Sequence, residues 1–228
     1  MITQTRAYGN VTTYGDVVNP APSAGGACNY GSTAIMRFAA IQVSVSPGDL
    51  QGQWQGGRIC GQCAVVRVRT TDGWKSTAVR IMDKCPDGYC GIDLGGEPAR
   101  EVFGTQSGRY SGEWTWVSCD GLDGVSDALP AIHVKEGSNP YWSLIQIRNP
   151  AERILGIRMR RADLAEGAEW RDLAWATEAE NFFKVPIEIL QDSSMYGLEA
   201  LLPEGKPYTA ILKGSALAAE NADLRIIR

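Results

Sequence analysis

The chain has 228 residues, 44% of them hydrophobic, which is enough for a real core in one large or two modest domains. The net charge is −4 and no basic block stands out. This argues against nucleic acid, since binding phosphates needs a cationic stripe, and favours a neutral partner. No apolar run approaches the ~20 residues of a membrane span, so we expect no membrane partner either.

The first part of the chain is predicted to be a domain of short strands over residues 1–126, because glycine and proline are frequent and favour turns over long helices. After a loop-rich first third, apolar and charged residues alternate, as in Val66-Arg67-Val68-Arg69, a pattern typical of half-buried strands. The predicted strands are Ile35–Val45, Ala64–Arg69, Ser76–Met82 and Glu113–Cys119. One short helix is predicted over Glu97–Phe103, with Pro98 in its first turn and Gly104 just after it.

A linker is predicted over Asp120–Asp127, which is rich in acid and contains glycine. Beyond it cysteine disappears and strand-like segments recur at short intervals, which suggests a small antiparallel β-sandwich over residues 130–228. These segments are Ala131–Lys135, Ser143–Arg148, Leu155–Arg160, Lys184–Leu190, Tyr208–Leu212 and Leu224–Ile227. His133 is predicted to be a residue of a strand surface.

All six cysteines lie between residues 28 and 119, and the last 109 residues have none. The cysteines are Cys28, Cys60, Cys63, Cys85, Cys90 and Cys119. An even number confined to one segment indicates a disulfide framework, whose pairing the sequence leaves open. The alternative is a zinc site, in which Cys60, Cys63, Cys85 and Cys90 would supply four thiolates. We expect disulfides and no metal.

Cysteine usage of this kind requires an oxidising compartment, so we expect a secreted, extracellular protein. The sequence shows no signal peptide, and the start Met1–Gln4 resembles a mature domain behind an initiator methionine. We therefore expect that a signal has been removed.

Two aspartates are candidates for chemistry. Asp83 ends the apolar stretch Val79–Met82, and Asp93 follows ten residues later. A carboxylate held at a strand end beside cysteines can exchange a proton or hydrogen-bond to sugar hydroxyls. The alternative is an aspartate that bonds to its own turn.

The segment Ser138–Trp142 carries two adjacent aromatic residues, Tyr141 and Trp142, before a predicted strand. On a strand they would point to opposite faces, whereas in a loop both could be exposed and form a flat platform for a sugar ring. Core packing is the alternative. Trp175 is a further candidate, and Trp170 is predicted to pack inside.

Taken together, several motifs resemble those of the expansin family. They are Gly9-Asn-Val-Thr12-Thr-Tyr14-Gly15, Gly25-Gly-Ala-Cys28-Asn-Tyr30-Gly31, Val79–Asp83, Ile92–Leu94, Lys135–Ser138 with Tyr141-Trp142, and Ile145–Asn149. The second of these is the most specific, and the order of the motifs agrees with the family through about Phe183.

The resemblance implies a six-stranded double-psi β-barrel followed by an immunoglobulin-like β-sandwich that binds cellulose, with one groove across both domains. It also implies the roles of particular residues. By this resemblance the polar residues of the groove are Thr12, Asp83 and Asp93, and Asp83 is the most important of them. Tyr14 is expected to be a substrate-binding residue. Tyr141 and Trp142 become platform residues, with Lys135 beside them.

The chain departs from the family pattern at two places. Bacterial relatives often carry tyrosine where this chain has Cys85. A third platform aromatic is expected near Asn181-Phe182-Phe183, but Glu180 precedes that segment, so either Trp175 substitutes or the platform is shorter. The acidic pI of about 5.1 also predicts less adhesion to anionic pectin.

These observations support three hypotheses. The first is a monomeric protein without cofactors that loosens plant cell walls without hydrolysis, by binding cellulose, xyloglucan or related β-glucans. The second is an inverting endoglucanase like glycoside hydrolase family 45, with Asp83 as acid and Asp16, in Thr12-Thr-Tyr14-Gly-Asp16, as base. The third is a plain carbohydrate-binding or signalling module with an inert first domain. We favour the first.

Overall fold

Short strands joined by tight turns make up most of the structure. The computed structural model describes residues 6–43, 54–163 and 168–227. The predicted start at Met1–Gln4 and the end of the strand predicted over Ile35–Val45 lie outside these residues. The chain divides into two compact units, Met1–Ala128 and Leu129–Arg228.

Six strands of the first unit close into a barrel. They are β1 (Arg6–Thr13), β2 (Arg37–Gln42), β3 (Cys63–Thr70), β4 (Gly73–Cys85), β5 (Ile92–Gly95) and β6 (Tyr110–Val117). Neighbours follow the order β1-β5-β2-β4-β3-β6, and β1 closes the barrel against β6. The pairs β1–β5 and β2–β4 are parallel. The expected mainly-β chain with a closed six-stranded barrel is confirmed.

Apolar and polar residues alternate along the strands, and the apolar side chains fill the interior of the barrel. Val66 and Val68 of β3 are fully buried in the main core, whereas Arg67 and Arg69 between and beyond them are exposed. Since successive side chains of a strand point to opposite faces, one face of each strand builds the core and the other builds the surface. The sequence pattern predicted this correctly for β3.

One α-helix, α1 (Gly96–Phe103), covers part of the barrel. It buries Ala99 and Val102 in the core and ends at Gly104, whose φ of 69° suits glycine. Arg37 of β2 fixes the helix from outside, because its Nη1 and Nη2 lie 2.5 and 2.7 Å from the carboxylate of Glu101. The helix predicted over Glu97–Phe103 is confirmed.

The segment predicted to be a linker, Asp120–Asp127, lies on the barrel and belongs to the first unit. Val125 is fully buried, and its carbonyl accepts a hydrogen bond from Nε of the buried Arg80 at 2.5 Å. Nη2 of Arg80 also donates to Ser126 Oγ at 2.6 Å. These contacts hold the segment in place, so it is not a free tether.

The second unit contains two antiparallel sheets. Their strands are β7 (Ala131–Val134), β8 (Leu144–Arg148), β9 (Gly156–Arg161), β10 (Arg171–Asp172), β11 (Ala174–Trp175), β12 (Phe183–Lys184), β13 (Met195–Leu201), β14 (Tyr208–Lys213) and β15 (Asp223–Arg225). One sheet has the order β11-β12-β8-β7-β15 and the other β10-β9-β13-β14. Buried residues of both sheets, such as Ile145 and Leu198, belong to one hydrophobic core.

Two expectations for the second unit are wrong. The strand predicted over Lys184–Leu190 stops at Lys184, and Pro186 then leads into a short helix, α2 (Ile187–Leu190). His133 is buried rather than exposed, and its Nδ1 lies 2.8 Å from Asp223 Oδ1. No helix in the described ranges is long and apolar enough to cross a membrane.

Candidate functional site

Four residues from four neighbouring strands form one cross-strand row on the barrel. Thr12 of β1 is in register with Asp93 of β5, and Asp93 is in register with Ala40 of β2. Ala40 is in turn paired with Asp83 of β4. Because neighbouring strands lie about 4.8 Å apart, the Cα atoms of the two aspartates are separated by roughly 10 Å, with β2 between them.

This cross-strand row faces away from the barrel core. Val11, Ala39, Ile41, Ile92 and Leu94, which flank the row along three of the strands, all belong to the core. Side chains alternate between the two faces of a strand, so Thr12, Ala40 and Asp93 lie on the outer face. Along their own strands, Thr12 and Asp93 are thus polar residues between core residues, and the two are paired across neighbouring strands.

A β-bulge brings Asp83 into the row. Ala39 is paired with Ile81, but the next residue, Ala40, is paired with Asp83, so Met82 is an extra residue on β4. Both Ile81 and Met82 are fully buried in the core. Bulges commonly redirect a side chain in this way, and here the bulge turns Asp83 to the outer face.

Asp93 is held by a short hydrogen bond in partly buried surroundings. Thr12 Oγ1 donates to Asp93 Oδ1 at 2.7 Å. Burial raises the pKa of Asp93, the Thr12 hydrogen bond opposes this, and the charges of Asp87 and Asp83 add to the rise. Asp93 therefore keeps its proton to a higher pH than an ordinary aspartate.

Asp83 is fixed by backbone donors and remains half-exposed. Its Oδ1 accepts hydrogen bonds from the N–H groups of Ala27 and Lys84, both at 2.8 Å. Ala27 belongs to a short 3₁₀ helix, Gly26–Cys28, that lies against β4. The carboxylate is thus held in one orientation and is accessible to solvent.

Asp83 lines a cavity of about 220 Å³ together with Tyr14 and Asp16. Tyr14 is edge-on to Phe38, with 5.8 Å between ring centroids. Burial, together with the negative charges of Asp83 and Asp93, raises the pKa of the Tyr14 phenol far above its usual value. The phenol therefore stays protonated and can act as a hydrogen-bond donor or acceptor.

Asp16 lines the same cavity but is exposed and belongs to a turn. Its Oδ1 accepts hydrogen bonds from the N–H groups of Val18 and Asn19 at 2.8 and 3.0 Å. The Asn19 and Val18 hydrogen bonds lower the pKa of Asp16. A carboxylate with a low pKa is a weak base.

The six cysteines form three disulfides, Cys28–Cys60, Cys63–Cys119 and Cys85–Cys90. Cys60 and Cys63 are therefore bonded to cysteines outside the proposed zinc set, and no described cysteine is a free thiol. Cys85, Cys90 and Asp93 lie close together, but disulfide sulfurs are not the thiolates that zinc prefers. The disulfide interpretation is the one that fits the structure.

Tyr141 and Trp142 lie in a turn before β8 rather than in a strand. Asn139 N donates to Trp142 O at 2.8 Å, and Asn139 Oδ1 accepts from Tyr141 N at 2.9 Å. Tyr141 is 72% exposed. Trp142 is half-exposed, and its Nε1 donates to Glu178 Oε1 at 3.4 Å. This geometry favours the predicted alternative in which both aromatic residues lie in a loop and are accessible.

The other predicted residues of the second unit have different surroundings. Trp175 packs against Phe183 with 4.0 Å between ring centroids, on the core-facing side of β11. Lys135 is half-buried, and its Nζ lies 6.0 Å from the ring centroid of Phe182. Trp170, predicted to pack inside, is only half-buried and lies beneath Arg158 and Arg160. Trp175 is thus half-buried with a packing contact to the core, and its role as a platform residue stays a prediction.

Two solved expansin structures have a fold similar to that of this chain. The apo expansin of Clavibacter michiganensis superposes with a TM-score of 0.63 at 20% identity, covering 97% of this chain and 96% of that chain. An Asp-to-Asn mutant of that expansin in complex with cellohexaose gives a TM-score of 0.62 at 19% identity with the same coverage. No family model and no curated protein matches the chain. The chain is therefore expansin-like in fold over nearly its whole length, as the motifs predict.

Two other outward residues of β1, Tyr8 and Asn10, were not predicted from the sequence. Tyr8 and Asn10 alternate with the core residues Ala7 and Val11, as Thr12 does. The period-two pattern from Tyr8 to Tyr14 was the available signal.

Proposed function

We propose that this protein binds cellulose and related β-glucans of the plant cell wall and loosens the wall without cleaving the glucan. The observation that carries this proposal is the cross-strand row, which presents Thr12, Asp93 and Asp83 on the outer face of the barrel beside an open cavity. The expansin-like fold supports it, since one expansin of that fold has been crystallised with cellohexaose.

The row can act on a glucan through hydrogen bonds alone. Two backbone N–H groups occupy Oδ1 of Asp83, so Oδ2 is the acceptor best placed to take a sugar hydroxyl. On the other side of β2 from Asp83, the Thr12–Asp93 pair adds further hydrogen-bond acceptors. Hydroxyls bound here are withdrawn from hydrogen bonds to neighbouring glucans, and no covalent bond has to break.

In the second unit, Tyr141 and Trp142 would hold the protein on cellulose. An exposed ring stacks on the apolar face of a sugar ring, and Lys135 would add hydrogen bonds to hydroxyls nearby. We interpret the two sheets around one core as an immunoglobulin-like β-sandwich (residues 130–228) and the barrel as a double-psi β-barrel (residues 1–126). We further propose that the protein is secreted and acts as a monomer, on xyloglucan as well as cellulose.

Cell-wall creep and cellulose pull-down together test this function. Asp83→Ala is expected to abolish the extension of wall strips under load while leaving most pull-down on cellulose. The double variant Tyr141→Ala/Trp142→Ala is expected to weaken the pull-down. Asp120→Ala, an exposed aspartate outside the site, is the matched control. If Asp83→Ala leaves creep intact while the aromatic variant abolishes it, the barrel is passive and the protein is a simple binding module.

Hydrolysis by an inverting endoglucanase is a second candidate, because Asp16 and Asp83 line one cavity. The low pKa and turn role of Asp16 disfavour it as a general base. Incubation with carboxymethyl cellulose or xyloglucan is therefore expected to release no reducing sugar. Release that both Asp16→Asn and Asp83→Asn abolish would replace the proposed function with this one.

A further inference from the structure

Two exposed tyrosines flank a second hollow on the barrel, of about 200 Å³. Tyr8 is 67% exposed and Tyr89 is 71% exposed. The floor is the ring of the buried Trp114, which approaches Gly9 and Gly91 so closely that a Cβ at Gly91 would lie 2.9 Å from it. Glycine at position 91 therefore allows the Trp114 ring to lie this close to the backbone between the two tyrosines.

The loop that carries Tyr89 is held on the barrel. The Cys85–Cys90 disulfide closes it, Asn10 Nδ2 donates to Tyr89 O at 2.7 Å, and Gln42 Nε2 donates to Gly88 O at 3.0 Å. Two strands and a disulfide thus fix the backbone on which the ring stands. A loop backbone held in this way loses little conformational entropy when a ligand binds.

The charges at this hollow are balanced. The guanidinium of Arg109 lies 5.4 Å from the centroid of the Tyr89 ring and is paired with Asp87 at 3.1 Å. The amides of Asn10 and Gln42 line the hollow, and each has a side-chain oxygen that can accept a hydroxyl. Aromatic faces beside neutral amide groups suit a ligand with apolar faces and hydroxyl edges, which is the chemistry of a neutral sugar.

The hollow is continuous with the cross-strand row through β1. Tyr8, Asn10 and Thr12 are alternate residues of that strand, and their neighbours Ala7 and Val11 are in the core. Since a strand rises about 3.3 Å per residue, Tyr8 lies roughly 13 Å from Thr12. An extended polysaccharide that contacts Thr12 can therefore follow the outer face of β1 to the two tyrosines.

We propose that Tyr8 and Tyr89 form an additional sugar-binding subsite on the barrel, which takes up the glucan chain beyond Thr12. This inference rests on the proposed function, since it extends the same glucan-binding surface. The subsite would stack a sugar ring on the tyrosines and accept its hydroxyls at Asn10 and Gln42.

Isothermal titration with cellohexaose tests the subsite. Tyr8→Ala/Tyr89→Ala is expected to weaken binding about tenfold, because two stacking contacts are lost. Tyr8→Phe/Tyr89→Phe keeps both rings and is expected to bind like the wild type. Trp74→Ala removes a ring that is 53% exposed elsewhere on the barrel and is also expected to bind normally. Urea unfolding of each variant checks that the fold is unchanged.

Equal cellohexaose affinity for the wild type and the double alanine variant would overturn the subsite and leave the proposed function standing. An equal loss for the alanine and phenylalanine variants would show that stacking is not the basis and would also overturn it. A wild type that binds neither cellohexaose nor cellulose would overturn both the subsite and the proposed function.

Discussion

At the scale of single residues, the position of Asp83 depends on the absence of a side chain at Gly26. Gly26 has a φ of 48°, and a Cβ there would lie 2.6 Å from Asp83 Cγ and from Met82 O. The following residue, Ala27, donates one of the two hydrogen bonds that orient the carboxylate. Backbone conformation and close approach therefore both require glycine at this position.

We expect Gly26→Ala to displace Asp83 and to lower the free energy of unfolding by about 3 kcal/mol, because left-handed strain and overpacking add. Wall creep should fall as in Asp83→Ala, while most of the pull-down on cellulose is kept. Gly121→Ala is the matched control, since Gly121 has a φ of 76° and open space around its Cβ position; it should cost only about 1 kcal/mol. Equal effects of the two substitutions in urea unfolding and creep assays would contradict this explanation.

His133 makes stability depend on pH. Burial is the main cause that lowers the pKa of His133; Asp223 opposes it, while Arg148 and Lys135 lower the pKa further. The pKa of His133 in the folded protein lies below its unfolded value of about 6.5. The stabilisation that depends on neutral His133 is therefore fully present above that pH and is lost as pH falls through the folded pKa. His133 is the only histidine of the chain, so we expect a fall in Tm from pH 7 to pH 5.

His133→Gln keeps a polar side chain that cannot gain charge. The fall in Tm between pH 7 and pH 5 should be smaller in this variant, as measured by circular dichroism at each pH. An unchanged slope would show that other groups cause the pH dependence. Glu136→Gln, an exposed charge three residues away, should leave the slope as in the wild type.

At the scale of elements, the disulfides constrain chain segments of very different length. Cys63–Cys119 joins residues 56 apart in sequence, and Cys85–Cys90 joins residues 5 apart. A longer closed loop removes more entropy from the unfolded chain. Replacing Cys63 and Cys119 by alanine should therefore cost about 4 kcal/mol in urea unfolding, against about 2 kcal/mol for Cys85 and Cys90.

For cellohexaose binding we expect the opposite order: loss of the Cys85–Cys90 disulfide should lower the affinity more than loss of the Cys63–Cys119 disulfide. The short disulfide closes the loop that carries Tyr89 and lies beside Ala40 of the cross-strand row. The long one joins β3 to Cys119, just after the end of β6. Parallel losses of stability and affinity in the two double variants would contradict a binding role for the short loop.

Elements whose pattern is local could be predicted from the sequence. The alternation in β3 and the proline and glycine that bound α1 are such patterns. The strand predicted over Lys184–Leu190 failed because isoleucines at 187 and 189 alternate as in a strand, although Pro186 begins a helical turn. β13 was also missed, although its buried residues Tyr196, Leu198 and Ala200 alternate with less buried ones as in other strands.

The candidate site could be predicted only in part. Asp83 was recognisable because it follows the apolar stretch Val79–Met82, and Asp93 because it lies ten residues later, beside the cysteines. Their alignment depends on β2 lying between β4 and β5 and on the bulge at Ala39–Ala40, which are nonlocal features. The disulfide pairing is nonlocal for the same reason, since it depends on which strands become neighbours.

At the scale of the whole molecule, charge argues for a neutral polysaccharide. The net charge is −4 and the pI is about 5.1, and many charged side chains are already paired, as Arg6 and Arg67 are with Glu113. The candidate binding surfaces present tyrosine, tryptophan, amides and carboxylates instead of a cationic cluster. Attraction to a polyanion is therefore weak in this protein, and the proposed contact with sugar rings would depend on stacking and hydrogen bonds.

We expect the amount of protein retained on cellulose to be nearly equal in 20 mM and 500 mM NaCl, because salt screens charge interactions but not ring stacking. Polygalacturonate beads should retain little protein even at low salt, since both partners are negative. The surface variant Glu136→Lys/Asp120→Lys raises the net charge by four units, from −4 to 0. It should gain salt-sensitive binding to polygalacturonate and keep its retention on cellulose. A marked loss of cellulose retention by the wild type at 500 mM NaCl would show that charge, rather than aromatic stacking, holds this protein on the polymer.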